Sequence, residues 1–96
     1  MELYILKNGS GSANKHVPAV TINNDIVNVK IGVDEHPMTE EHFIKWIAIK
    51  TTKGYHIAEL THTDKPEATF ELDDDETFIA AYEYCNLHGF WKDRVH

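Results

Sequence analysis

The sequence predicts an all-β fold, two antiparallel sheets packed as a sandwich, for a chain of 96 residues. Three observations carry this. Val27, Val29, Ile31 and Val33 alternate with Asn28, Lys30 and Gly32, the period-2 pattern of a strand with one buried face. Ile44, Trp46, Ile47 and Ile49 form a β-rich run that is apolar on both faces, as a central strand requires. Turn signals separate six or seven such short segments, the spacing expected of a two-sheet sandwich.

Leu3 to Leu6 reads as a short strand, and Asn8-Gly9-Ser10-Gly11-Ser12 as a flexible loop after it. Val17 to Ile22 is extended, because Pro18 disfavours the α region for Val17. Asn23-Asn24-Asp25 is a turn, and the alternating strand follows it. Phe43 to Thr51 is the central strand, Lys53-Gly54 punctuates it, and Tyr55 to Thr61 returns as its hairpin partner. Thr69 to Leu72 is another short strand. Asp73-Asp74-Asp75-Glu76 is a solvated turn, since it lacks the spaced oxygen ligands of a calcium loop. Phe78 to Cys85 is read as a strand with Phe78, Tyr82 and Tyr84 on one face, although Ala80, Ala81 and Glu83 would tolerate helix.

Residues 1–96 fit one domain, whose folding buries only about 60–65% of the surface exposed by the unfolded chain. Bound metal would support such a small core, because ligation free energy becomes folding free energy. No apolar run reaches the roughly 20 residues of a membrane helix. Met1-Glu2-Leu3-Tyr4-Ile5-Leu6-Lys7 lacks the basic start and apolar stretch of a secretory signal, so the expected location is cytoplasmic. A net charge of −7 argues against nucleic acid or an anionic membrane as partner.

Three clusters carry the chemistry: Lys15-His16-Val17-Pro18, His36-Pro37-Met38-Thr39-Glu40-Glu41-His42 and Cys85-Asn86-Leu87-His88-Gly89. The one cysteine cannot form an internal disulfide, so Cys85 is a buried hydrophobe, a nucleophile or a ligand. Pro37 opposes a helix at its start, so His36 and His42 flank a loop and converge. Gly89 allows a sharp turn beside His88. Each cluster alone is more simply explained by packing or surface histidines; His56 and His96 have no reading beyond strand or surface. Together, His16, His36, His42, Cys85 and His88 exceed the four ligands of a structural zinc site. Five donors suit a square pyramid with a sixth position open to a small molecule. A redox-active ion fits that set better than zinc, and spacing alone leaves iron, copper, nickel and cobalt open.

These clusters resemble the ferrous-iron domain of superoxide reductases, the neelaredoxins and desulfoferrodoxins. The likeness runs from about Lys15 to Trp91 through Lys-His-Val-Pro at 15–18, His-Pro-Met at 36–38, Glu-His at 41–42, Trp46-Ile47 and Cys-Asn-Leu-His-Gly-Phe-Trp at 85–91. It implies an immunoglobulin-like β-sandwich of about seven strands and a mononuclear iron cycling between Fe2+ and Fe3+. It further implies that His16, His36, His42 and His88 are equatorial ligands and that Cys85 is axial. Two features narrow the match. Asn14 stands where members usually carry a glutamate that closes the sixth position of ferric iron. No N-terminal Cys-x-x-Cys is present, so the chain resembles the one-iron class.

The reaction implied by the resemblance joins superoxide, one electron and two protons to give hydrogen peroxide. Superoxide is an anion and the chain is acidic, but screening limits distant charges to roughly 8 Å. Ferrous iron with one thiolate and neutral imidazoles leaves a local charge of about +1, and Lys15 would add to it as an electrostatic catalytic residue. The resemblance also implies rubredoxin as electron donor and a homo-oligomer, dimer or tetramer. The rival readings are an electron-transfer or iron-binding protein of the same fold, which would have no need of an open position, and an interaction domain with a structural metal.

Overall fold

The computed structural model describes residues 16–32 and 36–93. The expected strand at Leu3–Leu6, the loop after it, Asn14 and Lys15 lie outside these residues.

Among the described residues seven strands follow in order: β1 (Pro18–Asn23), β2 (Ile26–Ile31), β3 (Ile44–Thr51), β4 (Gly54–Glu59), β5 (Glu67–Glu71), β6 (Phe78–Cys85) and β7 (Gly89–Lys92). They form two antiparallel sheets, β1-β2-β5 and β4-β3-β6-β7. The fold is therefore the all-β, seven-stranded sandwich expected.

Alternation decides which way each strand faces. In β2, Val27, Val29 and Ile31 are fully buried, while outward Asn28 donates to Glu67 and Thr69 on β5 at 3.1 and 3.0 Å. Opposite them, Ile44, Ile47 and Ile49 of β3 join Ala81 and Cys85 of β6 in the same core cluster, with Ala68, Phe70 and Leu72. As a strand flanked on both sides, β3 also buries Ala48 on its outer face.

Three expectations need correction. β2 ends at Ile31, because Gly32 takes φ of 85°, outside the extended region, and Val33 lies outside the described residues. Phe78 does not share the face of Tyr82 and Tyr84. The pairing passes from Lys50↔Ala80 to Thr51↔Phe78, so Ile79 is the extra residue of a bulge, and Phe78 turns inward onto the core. Gly89–Lys92, treated in sequence only as part of a ligand motif, is a strand paired with β6.

Register fixes the location of the chemistry. Pro18 pairs with Ile31, Ile44 with Cys85, and Cys85 with Gly89. The start of β1, the end of β2, the start of β3 and the β6–β7 turn thus meet at one end of the sandwich. The β3–β4 hairpin, Thr51 to Gly54, lies at the other end. Among the described residues, no helix is long and apolar enough to cross a membrane.

Candidate metal centre

Each candidate donor sits at or just beyond the end of a strand at that common end. His16 precedes β1, and the neighbouring carbonyl of Val17 accepts the Gly32 N–H at 3.1 Å, which ties the entry to β1 against the exit of β2. His36 follows β2, its N–H bonded to the Ile31 carbonyl at 3.3 Å. The segment from His36 to His42 is a loop, as Pro37 required, closed by reciprocal backbone bonds between Thr39 and His42 at 2.9 and 3.1 Å. Cys85 ends β6 on its inward face, and His88 lies in the turn before Gly89, whose φ of 83° reverses the chain.

The four imidazoles form a square. Neighbouring ring centroids lie 4.7 Å apart for His16–His36 and for His36–His42, 4.9 Å for His42–His88 and 4.7 Å for His16–His88. The His16–His42 diagonal is 6.3 Å, longer by nearly the ratio a square requires. Neighbouring rings stand at 64° to 77° to one another, so their edges rather than their faces meet. Donor atoms of His16, His36 and His42 lie within 4.8 Å of one another, and so do those of His16, Cys85 and His88. The structure brings together the five residues that sequence singled out as metal donors, while Lys15 lies outside the described residues.

Burial is asymmetric. His16, His36 and Cys85 are buried, His42 is half-buried and His88 is exposed. The sulfur therefore belongs to the core, and solvent reaches the square from the His42–His88 flank. Burial pushes the Cys85 thiol above its ordinary pKa, against the downward pull of the His88 and Leu87 N–H groups. A cation would reverse that balance, because a coordinated thiol loses its proton.

Several supporting residues escaped the sequence reading. Asn86 clamps the loop that carries His42: its side chain accepts from Phe43 N–H and donates to the Glu41 carbonyl, both at 3.0 Å. Its own N–H bonds the Phe43 carbonyl at 3.2 Å. Trp91 stacks on His16 at 4.8 Å and 11°. Met38 accepts the Ile44 N–H on its sulfur at 3.3 Å. Nδ1 of His36 lies 2.6 Å from the Pro37 carbonyl, which can only accept, so the proton sits on Nδ1 and Nε2 keeps its lone pair for a metal. The positions of Asn86, Met38 and Trp91 inside the ligand motifs hinted at such a role. The remaining contacts depend on tertiary placement.

The donor set passes a chemical test for iron. Imidazole nitrogen and thiolate sulfur both suit a redox-active first-row ion, and five of them exceed what tetrahedral zinc uses. Glu83 adds a buried acid nearby, its Oε2 3.8 Å from His16 Nδ1, and burial pushes its carboxyl up to about 9.

Residues 8–94 match the desulfoferrodoxin family model. The chain is 45% identical over 78 residues to a desulfoferrodoxin of Clostridium acetobutylicum, an alignment covering 81% of this chain and 60% of that relative. The chain thus spans less than two thirds of that relative's length. It is 31% identical over 107 aligned positions to a superoxide reductase of Pyrococcus abyssi, covering 94% of this chain and 93% of that one. Its structure resembles the crystal structure of the superoxide reductase from Treponema pallidum with a TM-score of 0.86 and 43% identity, covering 93% of this chain and 73% of that one.

Proposed function

The chain belongs to the desulfoferrodoxin family, and on that premise we propose that it is a superoxide reductase, a single iron-binding domain over residues 1–96 that converts superoxide to hydrogen peroxide. The observation that carries this reading is the square of four imidazoles joined by the buried thiol of Cys85. His16, His36, His42, Cys85 and His88 would hold the iron, four through imidazole nitrogen and one through sulfur. Mononuclear iron held there would supply the one electron that superoxide takes up.

The chain's residues set the conditions for that step. The Cys85 sulfur, fully buried, is kept from water and from competing oxidants. As a thiolate it donates electron density to whatever it ligates, in the manner of haem thiolates. Asn86 and the Thr39–His42 bonds hold His42 in place before any ion arrives, which reduces the ordering cost of binding. The exposed His88 flank admits a diatomic anion, and water there can deliver the two protons that complete the peroxide. An electron carrier would have no need of an open sixth coordination position, so the enzyme reading is preferred.

Lys15, one residue before His16, supplies positive charge that draws superoxide in against the net charge of −7. A rubredoxin is the proposed electron donor and the cytoplasm the proposed location. The outer face of the four-stranded sheet supports assembly with a second copy of the chain. Trp46, Tyr84 and Phe90 stack there at 4.5 to 6.1 Å, and Tyr55 and Ile57 are 63% and 65% exposed. Lys50 pairs with Tyr55 at one end of this face and Trp46 with Glu59 at the other, so a two-fold axis can set Lys50 against Glu59 of the second copy.

The test is anaerobic mixing of the ferrous-loaded protein with a pulse of superoxide. The reading expects loss of superoxide with oxidation of the site in equal amount. Superoxide that decays at its spontaneous rate while the site stays ferrous would contradict it.

A further inference from the structure

Glu83 is the one fully buried carboxylate among the described residues, and nothing in its strand explains it. It lies on the inward face of β6 between Ala81 and Cys85, where apolar residues belong. Among the described residues, neither of its carboxylate oxygens meets a hydrogen-bond donor. A buried carboxylate in that state is costly, and an apolar residue of similar size would serve the core better. Its Oε2 lies 3.8 Å from Nδ1 of His16. Glu83 also pairs across the sheet with Trp91, whose indole stacks on the His16 ring at 4.8 Å. Glu83 belongs to neither group of mutually close donor atoms, so it stands beside the metal centre rather than in it.

We propose that Glu83 is a positioning residue that accepts the Nδ1–H of His16 and so presents Nε2 to the metal, while Trp91 fixes the plane of the same ring. The β6–β7 hairpin then performs two tasks. It carries the donors Cys85 and His88, and it orients a third donor that enters from the other sheet. The parallel within the molecule is His36, whose Nδ1–H is held by the Pro37 carbonyl at 2.6 Å. At 3.8 Å the His16–Glu83 contact is electrostatic and longer than a hydrogen bond. A cation bound at Nε2 would make the Nδ1–H more acidic and strengthen its pull on the Glu83 carboxyl oxygen. The proposal rests on reading the five donors as a metal site, and it is independent of superoxide as substrate.

Its test compares Glu83→Leu and Glu83→Gln with the wild type, using zinc and ferrous iron as probes. Three readouts apply: metal affinity by competition with a chelator, the thermal midpoint of the metal-free protein, and the nitrogen-15 signals of His16 in the zinc-loaded protein. Glu83→Leu should lower affinity about 10–100-fold, the range for loss of such an outer partner, while leaving the metal-free midpoint equal or higher. Glu83→Gln, whose amide oxygen still accepts, should recover most of the affinity. The His16 Nδ1–H signal should be sharp and downfield in the wild type and exchange-broadened in Glu83→Leu. A Glu83→Leu affinity within two-fold of wild type, or a fall in affinity matched by a fall in the metal-free midpoint, would overturn the proposal. Failure of the wild type to bind either ion stoichiometrically would overturn the metal-site reading itself.

Discussion

Replacing Cys85 by serine exchanges one atom at the floor of the imidazole square and separates its two roles, packing and ligation. The side chain is fully buried and belongs to the main core cluster. In the metal-free protein the hydroxyl would face the His88 and Leu87 N–H groups, which already act on the sulfur, and His88 Nδ1, 3.9 Å from it. Those neighbours satisfy the new group only in part, so the cost is about 1–2 kcal/mol. For a domain of this size that lowers the thermal midpoint by about 5–15 °C. The square should survive, since His16, His36 and His42 come from segments the substitution does not touch and the Cys85–Gly89 backbone pairing still closes the turn that carries His88. Iron should therefore still bind, with lower affinity. What disappears is the visible thiolate-to-ferric charge-transfer band. The assay is the absorption spectrum of oxidised wild type and Cys85→Ser at equal iron content, beside thermal melts of both metal-free proteins. A band of unchanged position and intensity in the serine variant would refute Cys85 as a ligand.

Lys15→Ala should leave iron content unchanged and slow the bimolecular reaction with superoxide, with added salt slowing the wild type more than the variant. Stopped-flow rates against ionic strength measure this; equal rates and slopes would remove Lys15 from the mechanism. At the far end of the sandwich, bonds from Thr51 and His56, the latter at 2.8 Å, hold the Glu76 carboxyl down from 4.5 to about 2. Because its folded pKa is depressed, the stability it confers is complete above about pH 4.5 and is lost as pH falls toward 2. Denaturant melts of Glu76→Gln should show a flatter dependence across that interval, and a dependence like the wild type's would exclude Glu76 as its source. Light scattering should give the wild type roughly twice the 11.0 kDa chain mass or a higher multiple, and Ile57→Lys should shift it to the monomer. A monomeric wild type, or an unaffected variant, would exclude this sheet face as the interface.

Local pattern revealed most of the fold. The alternation at Val27–Ile31 and the two-faced run at Ile44–Thr51 depend on near neighbours, and both segments are strands with the burial their patterns require. What sequence missed depends on pairing between distant residues. Gly89–Lys92 is a strand only because β6 lies beside it, and Phe78 changes face only because the β3–β6 register slips at Ile79. The same division holds at the site. Residue type and local motif marked the five donors, whose chemistry is unusual for a surface or a core. Their supports are ordinary residues: an asparagine clamp, a stacked tryptophan, a backbone carbonyl and a buried glutamate gain meaning only from what they touch. Glu83 in particular reads in sequence as one more polar residue of a strand, although it is fully buried.

The central claim is reduction without oxygen release, and product stoichiometry tests it most directly. Ferrous-loaded protein supplied with a reductant and a measured flux of superoxide should form one hydrogen peroxide for every superoxide consumed, with no dioxygen evolved. One peroxide for every two superoxides, accompanied by dioxygen, would mean dismutation and would contradict the account.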